Sequence, residues 1–246
     1  ITGTLLDLNA NIIDADQYSS QDTQGVFFIR VKFVINQSLS LSDISRSLNH
    51  LAEELNASIQ IYDVEQPLKC SILVSKEDHC LQELLYHWKS SFLDLDIQSI
   101  ISNHDCYQEL AEWYSVPFHY VSSESKHLAE TKIIELTQES EILIMARYMQ
   151  ILSGDFLHNY NRPVINIHHS FLPSFAGAKP YHQAFARGVK VIGATAHYAT
   201  QDLDEGPIIV QKVGSVSHRD TIEDLKAKGR QLEKQCLIEA IQAISE

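Results

Sequence analysis

Residues 164–175, VINIHHSFLPSF, read as an apolar strand that ends in polar groups. Val164, Ile165 and Ile167 suit a buried strand, while Asn166 and His168 stand two positions apart and so project from one face of the pleat. Pro173 cannot continue a strand interior, which predicts that the chain leaves the sheet just after His168 and His169. Open α/β sheets carry their chemistry at strand ends. The question therefore passes to whether the surrounding chain builds such a sheet.

Outward from this stretch, strand-like and helix-like segments alternate: CSILVSK then HCLQELLYHWKSSF, IQSIISN then CYQELAEWYS, VPFHYV then LAETKIIELTQ, EILIMARY then SGDFLHNY, VINIHH then PYHQAFARG. Parallel strands need long crossovers, so this alternation specifies a largely parallel sheet with helices on its faces. ATAHYAT and PIIVQKVGSV follow closely on one another and predict an antiparallel edge. TIEDLKAKGRQLEKQCLIEAIQAIS opens on Thr221 followed by acidic residues, as an N-capped helix does. Upstream, NIIDADQYSSQDTQGVFFIRVKFVI reads as two strands joined by a Gly-containing turn, LSDISRSLNHLAEELN as a helix, and ASIQIYDV as a further strand. With a helical start at residues 1–10 the order is α-β-β-α-β, one strand short of a ferredoxin-like unit. That strand is expected to precede Ile1. EQPLK marks a boundary near residue 67, giving domains 1–66 and 67–246.

At 246 residues and 44% hydrophobic composition the chain can build one large or two ordinary cores. No apolar run approaches the roughly 20 residues of a membrane span, and ITGTLLDLNA lacks the features of a signal peptide. A cytoplasmic enzyme or binding protein is expected. A formal charge of -13 opposes a phosphate backbone, so nucleic acid is not an expected partner. Cys70, Cys80, Cys106 and Cys236 are scattered without ligand spacing and read as reduced structural thiols rather than a zinc or disulfide framework.

The segment GATAHYATQDLDEGPIIVQ brings His197, Asp202, Asp204 and Glu205 near a turn closed by Gly206-Pro207. An amide, an imidazole and a carboxylate that converge can bind a carbonyl oxygen, relay a proton and activate a nucleophile, which suits acyl-group chemistry. The G-x-S-x-G elbow is absent, so a water or amine nucleophile fits better than a covalent intermediate. Local satisfaction of Asn166 and His168 by backbone, and a merely solvated acidic turn at 202–205, are the competing readings. No metal is expected, because no acidic ligand spacing accompanies the histidines.

INIHHSFLPSFAGAKPYHQAFARGVKVIGATAHY, followed by LDEGPII, resembles the signature region of the folate-dependent formyltransferase and deformylase family. The resemblance extends to SKEDHCLQELL, ISNHD and the N-terminal module, which together match the deformylase branch. It implies a Rossmann-like, mostly parallel formyltransferase domain behind an ACT domain, and hydrolysis of 10-formyltetrahydrofolate to formate and tetrahydrofolate, which balances the one-carbon pool and supplies formate for purine synthesis. Asn166, His168 and Asp204 match the family's catalytic positions, with Asn166 on the formyl oxygen, His168 as hydrogen-bond or proton donor and Asp204 as the base. Met149, Ile151 and Leu152 are expected around the pterin, with His197 and Lys179 as further substrate contacts; Gln150 stands where relatives often carry a basic residue. The folate is substrate, and no cofactor is implied.

The branch can also be argued from residues. The loop after the first strand of the larger domain reads Ser75, Lys76, Glu77, Asp78, His79, with two carboxylates and no glycine, which disfavours a phosphate-bearing acceptor. Water remains. The rival functions are transfer to an unidentified amine acceptor, or a non-catalytic folate sensor. The ACT-like module implies a homo-oligomer and an amino-acid effector, or simple dimerisation. The stretch at Ser122–His127 is shorter than deformylases lead one to expect.

Overall fold

The computed structural model describes residues 1–20, 26–35, 39–174 and 180–245. The chain divides into two compact units, Ile1–Glu65 and Gln66–Glu246.

The first unit contains α1 (Thr2–Asp7), β1 (Ala10–Ser19), β2 (Phe27–Ile35) and α2 (Leu41–Leu55), the α-β-β-α order of a ferredoxin-like ACT arrangement. β1 and β2 pair antiparallel, with Ala10 opposite Ile35 and Ser19 opposite Phe27. The expected turn between them falls at 21–25, outside the described residues. Ser40 starts α2 in a reciprocal capping box with Asp43, and Asn56 ends it in the left-handed region. Ile44 and Leu48 turn its apolar side inward. ASIQIYDV forms no strand here. Ile59 and Ile61 keep the expected alternation, half-buried between exposed neighbours, but a strand exists only as part of a ladder. No other strand among the described residues pairs with it.

The second unit runs β3 (Leu68–Val74), α3 (His79–Lys89), β4 (Leu95–Ser102), α4 (Gln108–Tyr114), β5 (Phe118–Tyr120), α5 (Lys126–Leu136), β6 (Ile142–Met145), α6 (Gly154–Tyr160), β7 (Val164–His168), α7 (Pro180–Arg187), β8 (Val191–Tyr198), β9 (Ile208–Ser215) and α8 (Ile222–Ser245). Its sheet has the order β5-β4-β3-β6-β7-β8-β9. The first five strands in that order are parallel to one another; β8 and β9 close the far edge antiparallel. Helices cover both faces, so the central strands bury residues, mostly apolar, at successive positions rather than every second one. Ile72 and Ile144 accordingly join Leu81, Leu84, Leu237 and Ile241 in one core, while their neighbours Leu73 and Leu143 join Ile133 and Phe156 in the other. Leu84 is wholly buried, and its truncation to Ala would cost about 2–5 kcal/mol. Thr221 and Asp224 cap α8 reciprocally.

Strand order reverses beside β3: the chain goes from β3 outward to β4 and β5, then crosses back to β6 on the other side. The crevice above the carboxyl ends of β3 and β6 is where such sheets receive ligands.

Candidate active site

A cavity of about 700 Å³ opens there and extends over the end of β7. Asn166 and His168 share the inward face of β7, and the antiparallel register sets His197 of β8 directly opposite Asn166. The Asn166 amide nitrogen lies 3.2 Å from Nε2 of His197. Nδ1 of that ring lies 2.9 Å from the Tyr198 carbonyl, which can only accept, so Nδ1 carries the proton and Nε2 is the acceptor. Burial lowers the His197 pKa, which keeps the ring in this neutral form.

Asp204 arrives from the loop between β8 and β9. That loop folds back tightly because position 206 is glycine: a Cβ there would sit 1.8 Å from the Tyr198 carbonyl oxygen. Asp204 itself adopts φ 59°, a left-handed conformation that Asp tolerates better than most residues. Its Oδ1 lies 3.1 Å from Nδ1 of buried His168 and 3.8 Å from Nε2 of His197. The His168 hydrogen bond, against the opposing effect of burial, lowers the Asp204 pKa below the usual carboxylate value. Nε2 of His168 is buried and has no hydrogen-bond partner among the described residues. Orphaned buried polar atoms are uncommon in a folded interior. His168 is among the residues that line the cavity.

Met149, Ile151 and Leu152 line the same cavity with Leu203. Met149, Ile151 and Leu203 are each more than half exposed, an apolar rim suited to a flat, largely apolar ring. The structure thus brings Asn166, His168, His197, Asp204, Met149, Ile151 and Leu152 to one cavity. Lys179 lies outside the described residues.

The cavity lining also holds a charged group that the sequence did not disclose. Glu233 of α8 is 1% exposed. Its Oε2 lies 2.7 Å from Nε2 of His79 and 3.3 Å from Nε of Arg147, and Oε1 accepts from the Tyr181 hydroxyl. Burial alone would raise the Glu233 pKa, but the His79 hydrogen bond, the Arg147 charge and the Tyr181 hydrogen bond outweigh it and hold the carboxyl at about 2. Tyr181 reaches Glu233 only because residue 229, one helical turn earlier on α8, is glycine; a Cβ there would sit 2.0 Å from the Tyr181 hydroxyl. His79, Cys80 and Glu233 bring ligand-type atoms within 4.8 Å of one another. Burial pushes the Cys80 thiol well up, and the Glu233 oxygens already face two hydrogen-bond donors and a guanidinium. The donor set is that of an organic ion-pair cluster rather than a cation site. His169, beside it, is lowered to about 4, first by burial and then by the Arg147 charge.

The formyl transferase family model matches residues 68–241. A formyltetrahydrofolate deformylase of a Synechocystis species is 45% identical over 236 residues, covering 94% of this chain and 82% of the relative. The crystal structure of a formyltetrahydrofolate deformylase from Pseudomonas syringae pv. tomato superposes with a TM-score of 0.94 at 40% identity, covering 99% of this chain and 83% of that one. A glycinamide ribonucleotide transformylase from Symbiobacterium toebii is more distant, with a TM-score of 0.70 at 28% identity over 76% of this chain and 92% of its own.

Proposed function

The chain belongs to the formyl transferase family and, within it, stands with the formyltetrahydrofolate deformylases; from that membership we propose how the residues of its cavity carry out the reaction. The enzyme hydrolyses 10-formyltetrahydrofolate to formate and tetrahydrofolate. Asn166 spends one amide hydrogen on His197 and directs the other to the formyl oxygen, where negative charge develops as water attacks. Loss of such a donor costs about 3–4 kcal/mol of transition-state stabilisation.

For the base we favour His168 over Asp204. A carboxylate at Nδ1 of His168 fixes the ring with its proton on that nitrogen and leaves Nε2 as a bare acceptor. In our reading Nε2 of His168 takes the proton from the attacking water, Asp204 stabilises the imidazolium, and the same proton passes to the departing folate nitrogen. The oxygen–carbon bond forms and the carbon–nitrogen bond breaks; the second water proton leaves on formic acid, which ionises to formate and gives that proton to solvent. His197 is a positioning residue. The folate brings the formyl group with it, so a resident cofactor has no step to perform.

The observation that carries this reading is the Nε2 of His168, unpartnered among the described residues, on a ring whose Nδ1 faces Asp204 and whose neighbour on the same strand face, Asn166, has its amide held by His197. The test is incubation of the protein with 10-formyltetrahydrofolate in water without an acceptor. Formate and tetrahydrofolate released one for one over many turnovers is the expected result; binding without release would transfer the assignment to an acceptor-dependent enzyme or a folate sensor.

We read residues 1–66 as an ACT-like regulatory module and 67–246 as the catalytic unit. Ile13, Phe27, Phe28 and Val34 lie exposed on the two-stranded sheet, which favours pairing of copies into a homo-oligomer; an amino-acid effector and a role in formate supply for purine synthesis belong to the same reading. No helix among the described residues is long and apolar enough to cross a membrane. A cytoplasmic folate pool is the setting this proposal uses.

A further inference from the structure

Arg147 has no part in the chemistry above, yet the fold positions it with care. It follows β6 at the crevice where strand order reverses. Its φ is 65°, a conformation that costs free energy for a residue with a long side chain. Ser75, just past the end of β3, holds the segment there: its N–H donates to the Arg147 carbonyl at 3.1 Å, and its Oγ accepts from the Met149 N–H at 2.9 Å. Strain that the surroundings fix in place is a reason to ask what the side chain does.

The Arg147 side chain is 11% exposed and lines the cavity. Its Nε lies buried 3.3 Å from Glu233 yet makes no hydrogen bond to a described residue. Among the described residues Glu233 is the only ion-pair partner of the guanidinium. Glu233 meanwhile is already engaged by His79 and Tyr181. His169 adjoins this arm, with its ring 5.2 Å from His168 and 5.9 Å from Tyr181, and it too makes no hydrogen bond to a described residue. A planar guanidinium is matched by a planar carboxylate.

We propose that Arg147 and His169 form a small-carboxylate arm of the cavity that receives formate once the carbon–nitrogen bond has broken. The inference rests on the hydrolytic reading, since hydrolysis makes a one-carbon carboxylate beside His168. The His169 ring lies 5.2 Å from that of His168, so formate made beside His168 starts next to the arm.

The test uses the whole chain and sodium formate as probe, with binding followed by 13C-formate line broadening and, separately, formate inhibition of initial rates. The wild type is expected to bind formate and to be inhibited by it. Arg147→Gln should raise both constants at least tenfold, and Arg147→Lys, which keeps the charge without the fork, should fall between. If Arg147→Gln does not fold, His169→Phe carries the test, with weakened formate binding expected. Unchanged formate constants in a folded variant would overturn the proposal. So would a raised KM for the folate with formate constants unchanged, which would assign Arg147 to a carboxylate of the substrate. Turnover by a wild type indifferent to formate would remove this inference alone, whereas absence of turnover would remove the hydrolytic reading beneath it.

Discussion

Asn166 donates its amide across 3.2 Å to Nε2 of His197, whose Nδ1 is turned to the Tyr198 carbonyl 2.9 Å away. The pair is a cross-strand contact between β7 and β8, so its geometry is set by sheet register rather than by a loop. An amide that has spent one hydrogen in this way cannot rotate to present its carbonyl to the substrate. His197 therefore decides which face of Asn166 the formyl oxygen meets.

Replacing His197 with Ala should lower kcat about 10- to 100-fold with KM nearly unchanged, a smaller loss than the 100- to 1,000-fold expected for Asn166→Ala. Steady-state kinetics on both variants checks this. A rise in KM with kcat preserved would make His197 a substrate contact instead.

Asp204→Asn tests the proposal that His168, oriented by Asp204, is the base. Asn tolerates the left-handed φ of 59° at this position, so the loop should hold its shape. Its amide can present N–H to Nδ1 of His168, which favours the tautomer with the proton on Nε2, the wrong nitrogen for accepting one from water. Turnover should fall on the order of 1,000-fold or more while tetrahydrofolate affinity stays within a fewfold. Affinity falling in parallel with rate, measured by titration calorimetry, would place Asp204 in binding rather than catalysis.

The parts of this site legible in the sequence are those built from local pattern. Asn166 and His168 share a strand, His197 sits on the next one, and Gly206-Pro207 announces the turn that carries Asp204. The alternation from Lys69 onward specifies the parallel sheet because each element carries its own periodicity. ASIQIYDV misleads because an alternating run reports one buried side and not the presence of a strand beside it. Glu233 was hidden for another reason: in QLEKQ it looks like the solvated side of an amphipathic helix, and its partner His79 stands 154 positions away. The available signal was Gly229, since a mid-helix glycine costs about 1 kcal/mol relative to Ala and needs a packing reason.

That reason can be measured. Gly229→Ala gains helix propensity worth about 1 kcal/mol, but its Cβ would meet the Tyr181 hydroxyl at 2.0 Å and the ring carbon that bears it at 2.3 Å. The ring lies between α7 and α8 and cannot yield without leaving Glu233. We expect net destabilisation of about 1–3 kcal/mol, read from urea unfolding with m unchanged. A variant as stable as the wild type would show that Tyr181 has room to move.

Stability should also fall with acid in two stages whose signs follow from the buried groups. The fold holds His169 neutral down to about 4, against an ordinary value of 6.5. Its contribution is complete above pH 6.5 and is lost as pH falls toward 4, at most about 3 kcal/mol. The fold keeps Glu233 ionised down to about 2, against an ordinary 4.5. Its contribution is complete above pH 4.5 and is lost as pH falls toward 2. Calorimetric melting from pH 8 to pH 2 should therefore show Tm declining first through the histidine window and then through the carboxyl window. His169→Phe should flatten the first decline and leave the second. Glu233→Gln should lower Tm at neutral pH, because it removes the charge facing Arg147 and His79, and should flatten the second decline. A wild-type Tm constant from pH 6.5 to 4 would mean that His169 takes up its proton in the fold as readily as in the unfolded chain, leaving it no part in the acid response.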